Sequence, residues 1–288
     1  MKIYASKKTV LVTLIVLPIV LYSCVNLKTV GDFSSRSIES IKNFEQIDYS
    51  FLKHCEDRCR DEAIRKFEIK RAQECSCAVY QEADSVTQVI YNSVEGYFEG
   101  LGKLSHNELT NYSSDAVIRA LSADELGPLK IDAQTVSAFS SLSNTLLRAS
   151  TDFYRSKKIT SYIELANEPI QVLLEKFKVI IGTNLKGELQ VKRDRLYYFY
   201  DDMNMNGTVL SEYEKGKATS DYYQALEAIQ RKEMKLEVLS QSLDEIAKGH
   251  QVLYDNRTKL SVKNLTGLLL NYSNNVENLI SEFNKLKD

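Results

Sequence analysis

Four cysteines, Cys55, Cys59, Cys75 and Cys77, carry the most reactive side chains in the body of this sequence. In an oxidising compartment an even set of thiols reads as two disulfides. As thiolates the same four could hold zinc, with His54 beside Cys55, although C-x3-C followed by C-x-C is not a standard zinc spacing. Nested pairing, Cys55 with Cys77 and Cys59 with Cys75, suits an antiparallel helical hairpin, because the numbers of facing residues then sum to a near-constant, 132 and 134. An unbroken helix from Cys59 to Cys75 would hold those two about 24 Å apart. A disulfide tolerates only roughly 4.4 to 6.8 Å between Cα atoms. Either the chain turns near Phe67, or the pairing is local.

A second candidate is rich in oxygen. Asp202, Asn204, Asn206 and Thr208 offer a ligand at every second position around Gly207, which resembles the calcium loop of the EF-hand. Counted from Asp202 the twelfth position is Tyr213, with Glu212 and Glu214 on either side, so the bidentate carboxylate that completes such a shell is out of register. Calcium is the one cofactor this reading admits. The competing reading is a turn between helices, with Asn206 and Gly207 in left-handed geometry and Ser211 and Glu214 forming a capping box for the next helix. Just upstream, Tyr197, Tyr198, Phe199 and Tyr200 are consecutive. Four successive residues point around most of a helix, so some of these rings must face a neighbour or a ligand rather than the core.

Catalytic groups are scarce. His54, His106 and His250 stand in unrelated contexts, and the sequence has no phosphate-cradling glycine loop, nucleophile elbow or zinc-protease histidine pair. A non-enzymatic protein is the expectation.

The N-terminus gives the address. Lys2, Lys7 and Lys8 precede an apolar run from Thr9 to Tyr22, and Ser23 and Cys24 follow. This is the order of a secretory signal peptide. The run is about 14 residues long and contains Pro18, short of the ~20 apolar residues that span a bilayer. Leu21, Ser23 and Cys24 resemble the lipobox of bacterial lipoproteins, and the small Ser23 looks like those of Bacteroidota. The resemblance covers residues 1–24 and implies cleavage before Cys24 and diacylation of its sulfur, hence a bilayer as partner. The expected location is the outer membrane, facing the periplasm, because Val25 to Ser37 lacks the acidic cluster of a surface-export signal. Asp84, Ser85 and Val86 resemble a short O-glycosylation pattern of the same group, but a three-residue match is close to chance and an ordinary helix surface is the preferred reading.

The elements that must position these groups read as helices. Eleven glycines and three prolines (Pro18, Pro128 and Pro169) in 288 residues leave too little punctuation for many strands and turns. Without the three lysines before Cys24, 34 basic residues face 39 acidic ones, a formal charge of −5 that argues against nucleic acid as a partner. Apolar residues recur at steps of three and four: Phe139, Leu142 and Leu146; Leu173, Phe177, Ile180 and Ile181; Leu236, Leu239, Leu243, Ile246 and His250; Leu265, Leu269, Tyr272 and Val276. The expected fold is all-α, an elongated bundle of long antiparallel, coiled-coil-like helices. Residues 1–23 are read as the signal peptide, 24–37 as a lipidated tether and 38–288 as one helical domain, with subdivision conceivable near 127–130 or 167–169. His250 falls on the last long seam, where a hydrogen-bonded core histidine is expected. The expected function is a membrane-anchored envelope lipoprotein whose body is a protein-interaction or scaffold module. The alternative is a lipoprotein that binds a ligand or calcium through the Asp202 loop or the Tyr197–Tyr200 run. Homo-oligomerisation through exposed seams is compatible with either.

Overall fold

The first described helix begins inside the stretch expected to be a tether. In the computed structural model, which describes residues 27–68, 70, 74–106, 129–151, 159–206, 210–260 and 263–286, α1 runs Leu27–Lys42. Val30, Phe33 and Ile41 on one face are fully buried, each side chain contributing roughly 1.5–3 kcal/mol by leaving water. Small residues between them hid the pattern: Ser34 and Ser37 are buried too, the Ser34 hydroxyl bonding the Phe98 carbonyl and that of Ser37 its own Phe33 carbonyl at 2.8 Å. The tether reading of 24–37 is therefore corrected from Leu27 onward, while Cys24 and the rest of the signal lie outside the described residues.

Seven further α-helices follow among the described residues: α2 (Phe51–Lys66), α3 (Ala78–Ser105), α4 (Ala133–Thr151), α5 (Ile159–Val179), α6 (Lys186–Asn206), α7 (Glu212–Asp255) and α8 (Lys263–Lys285). There is no strand among the described residues, and the all-α expectation holds. No described helix is long and apolar enough to cross a membrane.

The directions follow from the contacts. As numbers rise along α1 they fall along α3, from Gly31 against Ser105 to Lys42 against Glu95, so the two are antiparallel. The same reversal relates α5 and α6 to α7, through Gln171–Ala247, Lys178–Asp244, Lys186–Glu237 and Arg193–Glu233. It also relates α7 to α8, through Glu245–Asn275 and Lys235–Phe283. On α7 the buried residues Leu236, Leu239, Leu243, Ile246, His250 and Leu253 keep the heptad spacing of an antiparallel seam. Gly249 lets α1 sit close, since a Cβ there would lie 2.5 Å from the Phe33 ring.

At 167–169, where a subdivision was conceivable, the helix is continuous. Helix α5 runs straight through Pro169, which is buried, and a π-helical stretch, Ile180–Leu185, joins it to α6. Packing on both sides outweighs the ~3 kcal/mol that an interior proline costs a helix: Ile163, Ala166, Ile170, Leu173 and Phe177 are all fully buried. The 127–128 boundary lies outside the described residues. Between α1 and α2 the chain changes direction. The two helices part where Asp48 takes a left-handed φ of 49° and Ser50 caps α2 by accepting from the Lys53 N–H at 3.2 Å.

Candidate functional site

Helix α2 is short and highly charged, and it is held in place from both ends. At its N-terminus the Asp84 carboxylate of α3 accepts the Phe51 N–H at 2.9 Å and the Leu52 N–H at 3.0 Å, satisfying two donors that a helix start leaves unpaired. The Asp84-Ser85-Val86 run thus spends its aspartate on a structural cap. At its C-terminus Phe67 adopts a left-handed φ of 55°, and the Glu68 N–H returns to the Ala63 carbonyl at 2.9 Å. This is the turn that nested cysteine pairing needs. Cys55 is joined to Cys77 and Cys59 to Cys75, with Cα separations of 5.9 and 6.1 Å. Cys55 and Cys59 are buried, whereas Cys75 is exposed and Cys77 half-buried, so the bridges form a ladder with its outer rung at the surface.

The other face of α2 runs parallel to α6. His54, buried, accepts or donates through Nδ1 to the Tyr49 hydroxyl at 2.8 Å and meets the Glu188 carboxylate through Nε2 at 3.0 Å. That hydrogen bond holds the Glu188 pKa below the usual carboxylate range. Further along, Lys192 bonds Asp57 at 2.5 Å and Arg65 donates to the Arg195 carbonyl at 2.7 Å while lying over the Phe199 ring. Burial raises the Asp61 pKa, against the opposing pull of Lys192 and Arg195. The disulfide clamp therefore braces α6 just before its aromatic run.

That run and the start of α7 build one surface. Tyr222 packs edge-on against Tyr197 and Tyr200, with ring centroids 6.5 and 5.7 Å apart, and touches Tyr223 at 5.2 Å. Phe199 and Tyr200 are half-buried, and burial raises the Tyr200 pKa. The remaining apolar groups face out: Tyr197 is 50% exposed, Tyr223 57%, Tyr198 68%, Met205 77% and Tyr213 80%. An open cleft of about 710 Å³ between Arg65, Tyr198, Phe199, Asp201, Asp202 and Met205 adjoins them. This tip is remote from the start of α1. Gly249, against Phe33, and Tyr222 are 27 positions apart on α7, or roughly 40 Å at 1.5 Å per residue.

The calcium-like run is divided. Asp202, Asn204 and Asn206 belong to α6, which stays helical through Asn206, and Thr208 lies outside the described residues. A helix turns alternate residues about 200° apart, so its backbone departs from the looped conformation expected from Asp202 to Asn206. The capping box is present: Ser211 Oγ accepts the Glu214 N–H at 3.3 Å, and the Glu214 carboxylate accepts the Ser211 N–H at 2.8 Å.

A second groove, about 510 Å³, opens between the start of α4, α5 and α7. Its cations are already paired, Lys176 with Asp132 and Lys178 with Glu175 and Asp244. Deep in the bundle, His250 is fully buried, its Nε2 2.5 Å from the Tyr97 hydroxyl and its Nδ1 3.1 Å from Asn167 Oδ1. Tyr97 in turn stacks on Tyr162, centroids 5.1 Å apart. His250 is thus a hydrogen-bonded core residue, and burial pushes its pKa down to about 3. The partners Tyr97, Asn167, Glu188 and Asp84 carry no sequence signal for these contacts, since each lies 32 to 153 residues from the group it serves.

Comparison with protein-family models, curated proteins and solved structures finds no match.

Proposed function

We propose that the chain is a lipid-anchored envelope protein whose helical body presents the α6–α7 tip to a protein partner. The observation that carries this reading is the cluster of outward-facing rings, Tyr197, Tyr198 and Tyr223, at the end of the bundle far from the start of α1, with exposed Tyr213 further along α7 towards its start. Two residues separate Cys24 from Leu27, so the backbone of a lipidated Cys24 would lie within roughly 11 Å of that start. The tip would then point away from the membrane. Six of the 17 tyrosines fall between residues 197 and 223, and large amphipathic rings of this kind, apolar in body and polar at the edge, are enriched where proteins bind one another. Bracing of α6 by α2 would favour the same role, because a rigid patch loses little conformational entropy on binding.

The reading is tested by fractionation and native electrophoresis of the full chain expressed in its own cells. Wild-type protein should sediment with membranes and run, after mild solubilisation, in a complex larger than its monomer. Cys24→Ser should release it from the membrane fraction. Tyr198→Ser combined with Tyr223→Ser should leave it membrane-bound but return it to monomer mobility. A double variant that stays in the complex removes the tip from the docking surface.

A further inference from the structure

We propose that the four sulfurs of the α2–α3 clamp form a zinc site once both bridges are reduced. Cys55 and Cys59 stand about one helical turn apart on the buried face of α2, while Cys75 and Cys77 approach from the segment that leads into α3. All four Sγ atoms lie within 4.8 Å of one another. A tetrahedral zinc–thiolate centre, with Zn–S near 2.3 Å, has sulfur–sulfur edges of about 3.8 Å. The four atoms therefore already surround one small space, two supplied from each side of it, and breaking the two S–S bonds lets each bonded pair open to that edge length. Exposed Cys75 gives a reductant and an ion their way in, and buried Cys55 and Cys59 close the site from behind.

The surrounding charge suits the product. Zinc bound by four thiolates carries a net charge of about −2, and the Arg58 guanidinium stands beside the cluster with Nη2 3.9 Å from Cys55 Sγ. The chemistry balances with a dithiol reductant. Each S–S bond takes two electrons and two protons from one dithiol, which itself closes to a disulfide. The four thiols so formed lose four protons on binding one Zn²⁺. The oxidised clamp offers no thiolate and takes up no metal. In both states α2 stays fastened to α3, covalently in one and through the ion in the other, and keeps its contacts with Glu188 and Lys192 of α6. The inference does not depend on what docks at the tip.

The test uses the full chain, reduced under anaerobic conditions, stripped with a chelator and titrated with Co²⁺ and then Zn²⁺. Reduced protein should develop intense visible d–d bands and a thiolate-to-cobalt charge-transfer band that saturate at one equivalent and are bleached by Zn²⁺. Oxidised protein should stay colourless, and the spectrum should be lost in Cys59→Ser combined with Cys75→Ser. Equimolar Zn²⁺ should also raise the thermal midpoint of the reduced chain, a readout that holds whether or not that chain is fully folded beforehand. A reduced protein that remains colourless with Co²⁺, a midpoint unmoved by Zn²⁺, or the same cobalt spectrum in the double variant would each overturn the proposal.

Discussion

Replacing His250 by glutamine should make the bundle less sensitive to acid than the wild type. His250 is fully buried, hydrogen-bonded to Tyr97 and Asn167, and burial holds its pKa down at about 3. In the unfolded chain it returns to about 6.5. Between those two values the unfolded state binds one proton more than the folded state, so stability declines as pH falls, by about 1.4 kcal/mol per pH unit. The contribution is fully present above pH ~6.5, and roughly 5 kcal/mol of it is gone by pH ~3. Glutamine fills similar space and can accept from Tyr97, but it does not titrate; its imperfect hydrogen bonds should cost about 1–2 kcal/mol at neutral pH. Urea denaturation followed by circular dichroism, from about pH 7.5 to pH 5, measures both proteins. Wild type should be the more stable at the upper limit, and the gap should close by about 2 kcal/mol at the lower one. Parallel stability curves across that range would refute a neutral, desolvated His250.

Three other outcomes follow from the same geometry. Cys59→Ser with Cys75→Ser removes a bridge of sequence separation 16, and loop-closure entropy sets the loss at about 3 kcal/mol, read as a lower urea midpoint in oxidising buffer. Asp84→Ala leaves the Phe51 and Leu52 N–H groups without their acceptor and should cost roughly 1–2 kcal/mol, with hydrogen exchange accelerated first in the opening turn of α2. Gly249→Ala drives a methyl against the Phe33 ring; overpacking of this kind costs about 1–3 kcal/mol, and a thermal midpoint equal to wild type would show that α1 can move away freely.

The long seams were legible because periodicity is a local property. Leu236 to Leu253 and Leu265 to Phe283 each repeat within a few turns, and they are the buried stripes of α7 and α8. Ser211 and Glu214 were legible for the same reason, since a capping box needs only four consecutive residues. Helix α1 was missed because its buried face includes Gly31, Ser34 and Ser37, small residues that carry no apolar signal. Pro169 misled in the other direction: its cost is local, whereas the compensation comes from α3 and α7 packed on α5. The nested cysteine pattern required a turn near Phe67, and the left-handed Phe67 provides one although no glycine or proline marks it. In the candidate site the rings themselves were visible, but that Tyr222 would gather Tyr197 and Tyr200 depends on the pairing of α6 with α7.

Photo-crosslinking in living cells tests most directly whether the distal tip is the working surface. A photoreactive residue placed at Tyr198, at Tyr223 or, as a control, at the exposed Asn274 of α8 should yield one discrete adduct of the same mass from both tip positions and none from the control. Equal crosslinking at Asn274, or no adduct at either tip position in membrane-anchored protein, would contradict a docking role for the α6–α7 tip.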